Sequence, residues 1–156
     1  MRKIITISLT LLSLVSCSKS YNIDVISVKY IEYLNNNIES NDEYNVLVTE
    51  IETEDKTVYR MTASNNKLEK DDLPYRYFKY KKHYVLIFNL NKNTSEVIER
   101  NLEKVGLFKE DKTYFSLDNY PEWIFILCNN EKYLLFKDSW YRPLDEIEEI
   151  NNFKCN

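Results

Sequence analysis

The chain has 156 residues, with 21 basic and 25 acidic side chains and a formal net charge of −4. Its 44% apolar and 29% charged residues are those of an ordinary globular domain and exclude collagen, a polytopic membrane protein and a wholly disordered chain. The lone glycine, Gly106, excludes the usual phosphate- and dinucleotide-cradling loops, which need two or three glycines close together. A chain of this length can bury about two-thirds of its unfolded surface, enough for a core without metal staples. Asn, Lys, Ile and Tyr are abundant while Ala63 is the only alanine, a bias expected of an AT-rich genome rather than of a function.

Arg2 and Lys3 precede an apolar run from Ile4 to Val15, followed by Ser16 and Cys17. The cations stay on the cytoplasmic side while the apolar run enters the bilayer. Those residues as a helix span about 18 Å, well short of roughly 30 Å of hydrocarbon, so residues 1–16 are predicted to be a signal peptide and not a stable anchor.

Leu14-Val15-Ser16-Cys17 resembles the lipobox of bacterial lipoproteins, in which a hydrophobic residue and two small or aliphatic ones precede a cysteine. The resemblance covers only the leader. It implies cleavage between Ser16 and Cys17, a thioether-linked diacylglycerol on Cys17, and acylation of the new amino group. Residues 17–22 then form a lipidated N-terminus and short tether, and residues 23–156 a single domain. Two or three acyl chains, at about 0.8 kcal/mol per buried methylene, hold a protein on a membrane essentially permanently. Ser18 rather than Asp after the cysteine implies sorting to an outer membrane, and the lack of an acidic run beyond it implies the periplasmic face.

Losing Arg2 and Lys3 with the leader takes 21 basic residues to 19 against 25 acidic, a net charge of −6. That balance argues against nucleic acid, whose binding wants a basic surface. With Cys17 acylated, Cys128 and Cys155 remain in a compartment where disulfides persist, and a bridge between them is expected. The alternative leaves Cys128 as a small buried hydrophobe and Cys155 as a thiol on the C-terminal tail.

Along the domain, Ile23, Ile26, Tyr30, Leu34 and Ile38 recur at helical spacing and predict a helix over 24–38. From Tyr44 the period becomes two, which with 57–63 predicts a β-hairpin turning over Glu54-Asp55-Lys56. A loop follows to Pro74, and 83–90 reads as a mostly buried strand. A second helix is predicted over 94–105, with Asn93 and Glu96 as a capping box, Ile98, Leu102 and Val105 as its buried stripe, and Gly106-Leu107 as a Schellman end. A second hairpin spans 123–128 and 132–137, and Pro143 opens a short acidic helix. The pattern predicts an α+β fold: one small domain, a largely antiparallel sheet with two hairpins, and flanking helices.

His83 is the only histidine and no zinc spacing, EF-hand loop or nucleophile elbow is present, so no metal, cofactor or catalytic residue is predicted. The acidic groups at Glu50-Glu52-Glu54-Asp55, Asp71-Asp72 and Asp145-Glu146-Glu148-Glu149 read as solvated faces. The least ordinary stretch is Tyr75 to Tyr84, in which every residue is aromatic or able to carry a positive charge. Read as one strand, it sends Phe78, Tyr80 and Tyr84 to the core with Leu86 and Phe88, and Tyr75, Tyr77, Lys79 and Lys81 to water. Exposed aromatics beside cations suit sugar rings or an acidic partner.

The expected function is therefore that of a lipid-anchored envelope lipoprotein whose domain is a non-enzymatic macromolecule-binding module, of protein-interaction or immunity type. The alternatives are a glycan binder using Tyr75, Tyr77 and Trp140, a structural tether, and a hydrolase with scattered acidic residues.

Overall fold

The computed structural model describes residues 22–37, 43–65, 67–68, 73–108, 120–129, 133–138 and 152–155. Its elements in chain order are α1 (Ile23–Asn37), β1 (Asn45–Glu52), β2 (Lys56–Ser64), β3 (Arg76–Tyr80), β4 (His83–Phe88), α2 (Glu96–Lys104), β5 (Glu122–Cys128) and β6 (Tyr133–Asp138). The strands form one sheet in the order β3-β4-β1-β2-β5-β6. Every pairing is antiparallel except that of β1 with β4, which run parallel from Val46↔Val85 to Thr49↔Phe88. The fold is α+β with a largely antiparallel sheet, as the sequence predicts. Cys17, Trp140, Asp71-Asp72 and the acidic helix expected after Pro143 lie outside the described residues.

α1 starts at a polar cap: Asn22 Oδ1 accepts from Asp24 N at 2.9 Å, and Asn22 O accepts from Val25 N and Ile26 N. Its buried side, Ile23, Ser27, Tyr30, Ile31 and Leu34, lies on one face of the sheet against Val46, Val48, Met61, Val85, Ile87 and Trp123. Each Ile or Leu fully buried there contributes about 1.5–3 kcal/mol. The Tyr30 hydroxyl donates to Pro121 O at 2.8 Å, so that large ring is buried without orphaning its polar end. Asp24 grips Arg76 bidentately at 2.7 and 3.0 Å, fixing the start of α1 beside the start of β3.

α2 covers the opposite face, where Leu102 and Leu107 join Leu86 and Leu68. Its cap is Ser95, whose Oγ accepts from Ile98 N, and not Asn93. The expected capping box does not form, because Glu96 instead pairs with Arg100 at 2.8 Å. The far end of the helix follows the predicted Schellman pattern, with Gly106 N donating to Glu103 O and Leu107 N to Leu102 O while Gly106 takes φ +70°.

The largest correction lies in Tyr75 to Tyr84. These residues form two strands instead of one, paired from Arg76↔Ile87 to Tyr80↔His83 and turning over Lys81 and Lys82. The turn splits the expected core-facing set between the two sides of the sheet. Phe78 and Tyr80 pack with Val85 on the α1 side, whereas Tyr77 lies opposite Leu86 and packs with Tyr84 and Phe88 on the α2 side. Tyr77 is thus half-buried and does not face water as expected.

Cys128 and Cys155 form a disulfide that closes 27 residues. Among the described residues, no helix is long and apolar enough to cross a membrane.

Candidate functional site

The sheet has two chemically different ends. At the near end β1 and β4 finish and α1 and β3 begin; at the far end lies the β3–β4 turn.

At the near end Glu50 follows Val46 and Val48 in the period-two row that faces α1, so its carboxylate is carried inward and is only 8% exposed. Glu50 Oε2 accepts from the Tyr75 hydroxyl at 2.6 Å, Lys92 Nζ at 3.0 Å and Asn89 Nδ2 at 3.1 Å. Lys92 also reaches Glu52 at 2.6 Å, so two carboxylates share one ammonium, and that ammonium stands 4.9 Å above the Tyr75 ring. Burial works to raise the Glu50 carboxyl, but the three hydrogen bonds and the Lys92 charge together outweigh it and hold it below the usual carboxylate range. Burial first, and then the neighbouring Glu50 charge, push the Tyr59 phenol up to about 12. Lys92 is raised above its ordinary value, chiefly by its bond to Glu52. The cluster sets two carboxylates on one ammonium, with Glu50 held ionised and engaged by three donors. That suits a fastener better than a group that gives and takes protons near neutral pH.

What it fastens is a turn. Asn89 gives its amide N–H to Glu50 and Glu52 and accepts from Asn91 N with its Oδ1 at 2.8 Å, while Lys92 N closes onto Asn89 O at 3.1 Å. Leu90 stands at the tip of this clamped turn, 99% exposed. Of the acidic residues read as solvated, Glu50 is therefore a correction: its position in the buried row and its three distant donors draw it inside.

At the far end the hairpin carries Lys79, Lys81 and Lys82, all exposed, with Lys81 in the left-handed region at φ 54°. Lys79 Nζ lies 5.1 Å from the Tyr84 ring centre and Lys81 Nζ 5.1 Å from that of Tyr80, so lysines cover faces of these rings. Between Tyr75 and Tyr84 there is no acidic residue, and of the four cations Arg76 is paired with Asp24 at the near end, which leaves Lys79, Lys81 and Lys82 as a basic island at the hairpin of an acidic chain.

His83, beneath this turn, is buried, stacked on Tyr44 at 4.0 Å, and donates Nδ1–H to Tyr44 O at 3.0 Å. Burial holds its pKa below the ordinary value, so it is a neutral core residue. Trp123 is buried against Tyr30 and Tyr33.

Of the three aromatics proposed to bind a ligand, Tyr75 and Tyr77 are not brought together. Tyr75 is committed to Glu50 on the α1 side, Tyr77 packs on the other, and Trp140 lies outside the described residues. Sequence reasoning missed Glu50, Asn89, Lys92 and Leu90 as a unit; only the phase of Glu50 with Val46 and Val48 hinted at it. In comparisons with known proteins, no family model, curated sequence or solved structure matches the chain.

Proposed function

We propose that the protein is a lipid-anchored envelope lipoprotein whose domain binds another protein without catalysis, through an acidic surface on that partner that meets the β3–β4 hairpin. The observation that carries this reading is the basic island. Lys79, Lys81 and Lys82 fall within four residues of a chain whose remainder is acidic, and Lys79 and Lys81 are steadied over tyrosine rings at the tip of an edge hairpin. The leader and the cystine agree on the compartment: a lipobox directs Cys17 outward, and a bridge between Cys128 and Cys155 suits an oxidising space.

Glycan binding has less support. Tyr80 and Tyr84 each have a lysine across one ring face, and Tyr77 lies against Tyr84 and Leu86, which leaves little open ring for sugar stacking.

The test has two readouts on protein isolated from bacterial membranes. Intact mass is expected to show a chain beginning at Cys17 with acyl chains attached. A photo-crosslinking residue in place of Lys81 is expected to give a discrete protein adduct in cells, lost when Lys79 and Lys82 are both changed to Glu. No adduct, or one indifferent to that charge reversal, removes the binding surface.

A further inference from the structure

We propose that the near end of the sheet sits on the bilayer, with Leu90 inserted among the lipids and Val25 and Val97 beside it, so that the basic hairpin points away from the membrane. This orientation rests on the lipoprotein reading above, since it needs an acylated Cys17.

The distribution of apolar surface comes first. Five large apolar side chains are exposed among the described residues, Val25, Ile51, Leu90, Val97 and Val105, and all but Val105 fall at the near end. Val25 is in the first turn of α1, Ile51 near the end of β1, and Leu90 in the turn after β4. Val97 opens α2, whose start is tied to this end because Thr94 Oγ1 donates to Leu73 O and Pro74 O, just before β3. Val105 is at the other end, where Leu68 N donates to Leu107 O shortly after β2 has finished. Scattered exposed apolar residues need no explanation, but such crowding at one end of a small domain does.

The chain's own connection names the occupant. α1 starts at this end, and only six residues lead from Cys17 to Ile23, a reach of at most about 20 Å even when fully extended. An acyl-anchored cysteine therefore keeps this end within a short distance of the lipid. The opposite end is held off by the length of α1, 15 residues or about 22 Å.

The turn is also built for insertion. Leu90 is displayed by a turn that is already clamped, with the Asn89 and Lys92 side chains bonded to Glu50 and Glu52, so bringing it to an interface need not disorder the turn. Glu54 and Asp55 are exposed at the same end, so attraction to anionic headgroups does not drive the contact. It is apolar, and salt should not weaken it.

The experiment uses acylated protein reconstituted into vesicles of phosphatidylethanolamine and phosphatidylglycerol. The native cysteines are occupied, so Leu90→Cys and, separately, Lys81→Cys each accept one environment-sensitive fluorophore. Nitroxide-bearing lipids are expected to quench the label at position 90 several-fold more than the label at position 81, equally at low and high salt. With the label moved to Val97→Cys, adding Leu90→Asp is expected to reduce quenching several-fold. Equal quenching at 90 and 81 on protein whose mass proves acylation overturns the orientation and leaves the lipoprotein reading intact. A blue shift at 90 without nitroxide quenching means a second copy covers the leucine, and quenching abolished by salt means charge holds the surface; either overturns the proposal. A mass without acyl chains removes the lipoprotein reading and the orientation together.

Discussion

Tyr75 and Glu50, 25 residues apart in sequence, meet at 2.6 Å with the phenol donating to the buried carboxylate. Burial and Glu50 together raise the Tyr75 phenol, so it remains a donor at any physiological pH. Tyr75→Phe removes this donor but leaves Asn89 and Lys92 on the carboxylate, and the expected cost is about 1 kcal/mol. Glu50→Ala strips all three donors of their acceptor and should cost more, about 2 kcal/mol, tempered because Lys92 can still reach Glu52 and water. Urea titrations should show both midpoints lowered in that order with the slope unchanged. Equal losses would mean that Tyr75 alone holds the carboxylate.

Acid should loosen the fold from the far end first. Burial lowers the His83 pKa, reinforced by Lys81 and Lys82 and opposed by the Tyr44 carbonyl and Glu43. The folded protein therefore takes up this proton at lower pH than the unfolded chain, whose histidine titrates near about 6.5. The stabilisation from neutral His83 is fully present above that value and is lost as pH falls through the folded pKa. Glu50 acts in the same direction at lower pH, since its folded carboxyl is held below the unfolded one. His83→Asn keeps a donor for Tyr44 O without a titrating ring. It should lower stability at neutral pH and flatten the first part of the acid dependence, as read by thermal melts across a pH series.

Much of the scaffold was legible because its signals are local. The apolar phase of α1, the alternation in β1 and β2, and the Gly106-Leu107 stop each need only a few neighbouring residues to be recognised. The β3–β4 turn was not, because Lys81 takes a left-handed conformation that sequence normally flags with Gly or Asn. The cap of α2 was misplaced by two residues because Ser95 competes with Asn93 for the same role. The near-end cluster depends on β4 returning beside β1, which brings Tyr75, Asn89 and Lys92 to Glu50; no spacing rule encodes that meeting.

The cystine ties the C-terminal segment to the end of β5, and Lys56 adds a bond to Phe153 O at 3.2 Å. A bridge closing 27 residues stabilises a domain by roughly 3.5 kcal/mol in the chain-entropy model. The double substitution Cys128→Ser and Cys155→Ser should lower unfolding free energy by about that amount, and adding reductant to the unsubstituted protein should reproduce the loss. A reductant-insensitive denaturation curve would show that the thiols are not paired in solution.

On the α2 side of the sheet, Arg60 holds Glu122 in a bidentate pair, with Arg60 Nη2 2.9 Å from Glu122 Oε2 and a second bond from Nε to Oε1, and both side chains are largely buried. Breaking such a pair costs more than the pair itself contributes, because one charge is left in a poor solvent. Glu122→Ala should therefore destabilise by about 3 kcal/mol, whereas the exposed Glu96–Arg100 pair on α2 should cost under about 1 kcal/mol when Glu96 is replaced. Chemical denaturation of the two variants side by side measures the contrast.

Gly106 offers the narrowest test of local coding. A Cβ added there meets nothing within 4 Å, so Gly106→Ala creates no clash, and any penalty comes from placing an L-residue at φ +70°. That penalty is about 1–2 kcal/mol. Gly106→Asn, whose side chain tolerates the left-handed region, should recover part of it. Amide exchange at Gly106 and Leu107, which donate to Glu103 O and Leu102 O, should quicken in the alanine variant and return toward the original rate with asparagine. If alanine leaves both stability and exchange unchanged, the cap does not hold the end of α2 and packing of Leu102 and Leu107 does so alone.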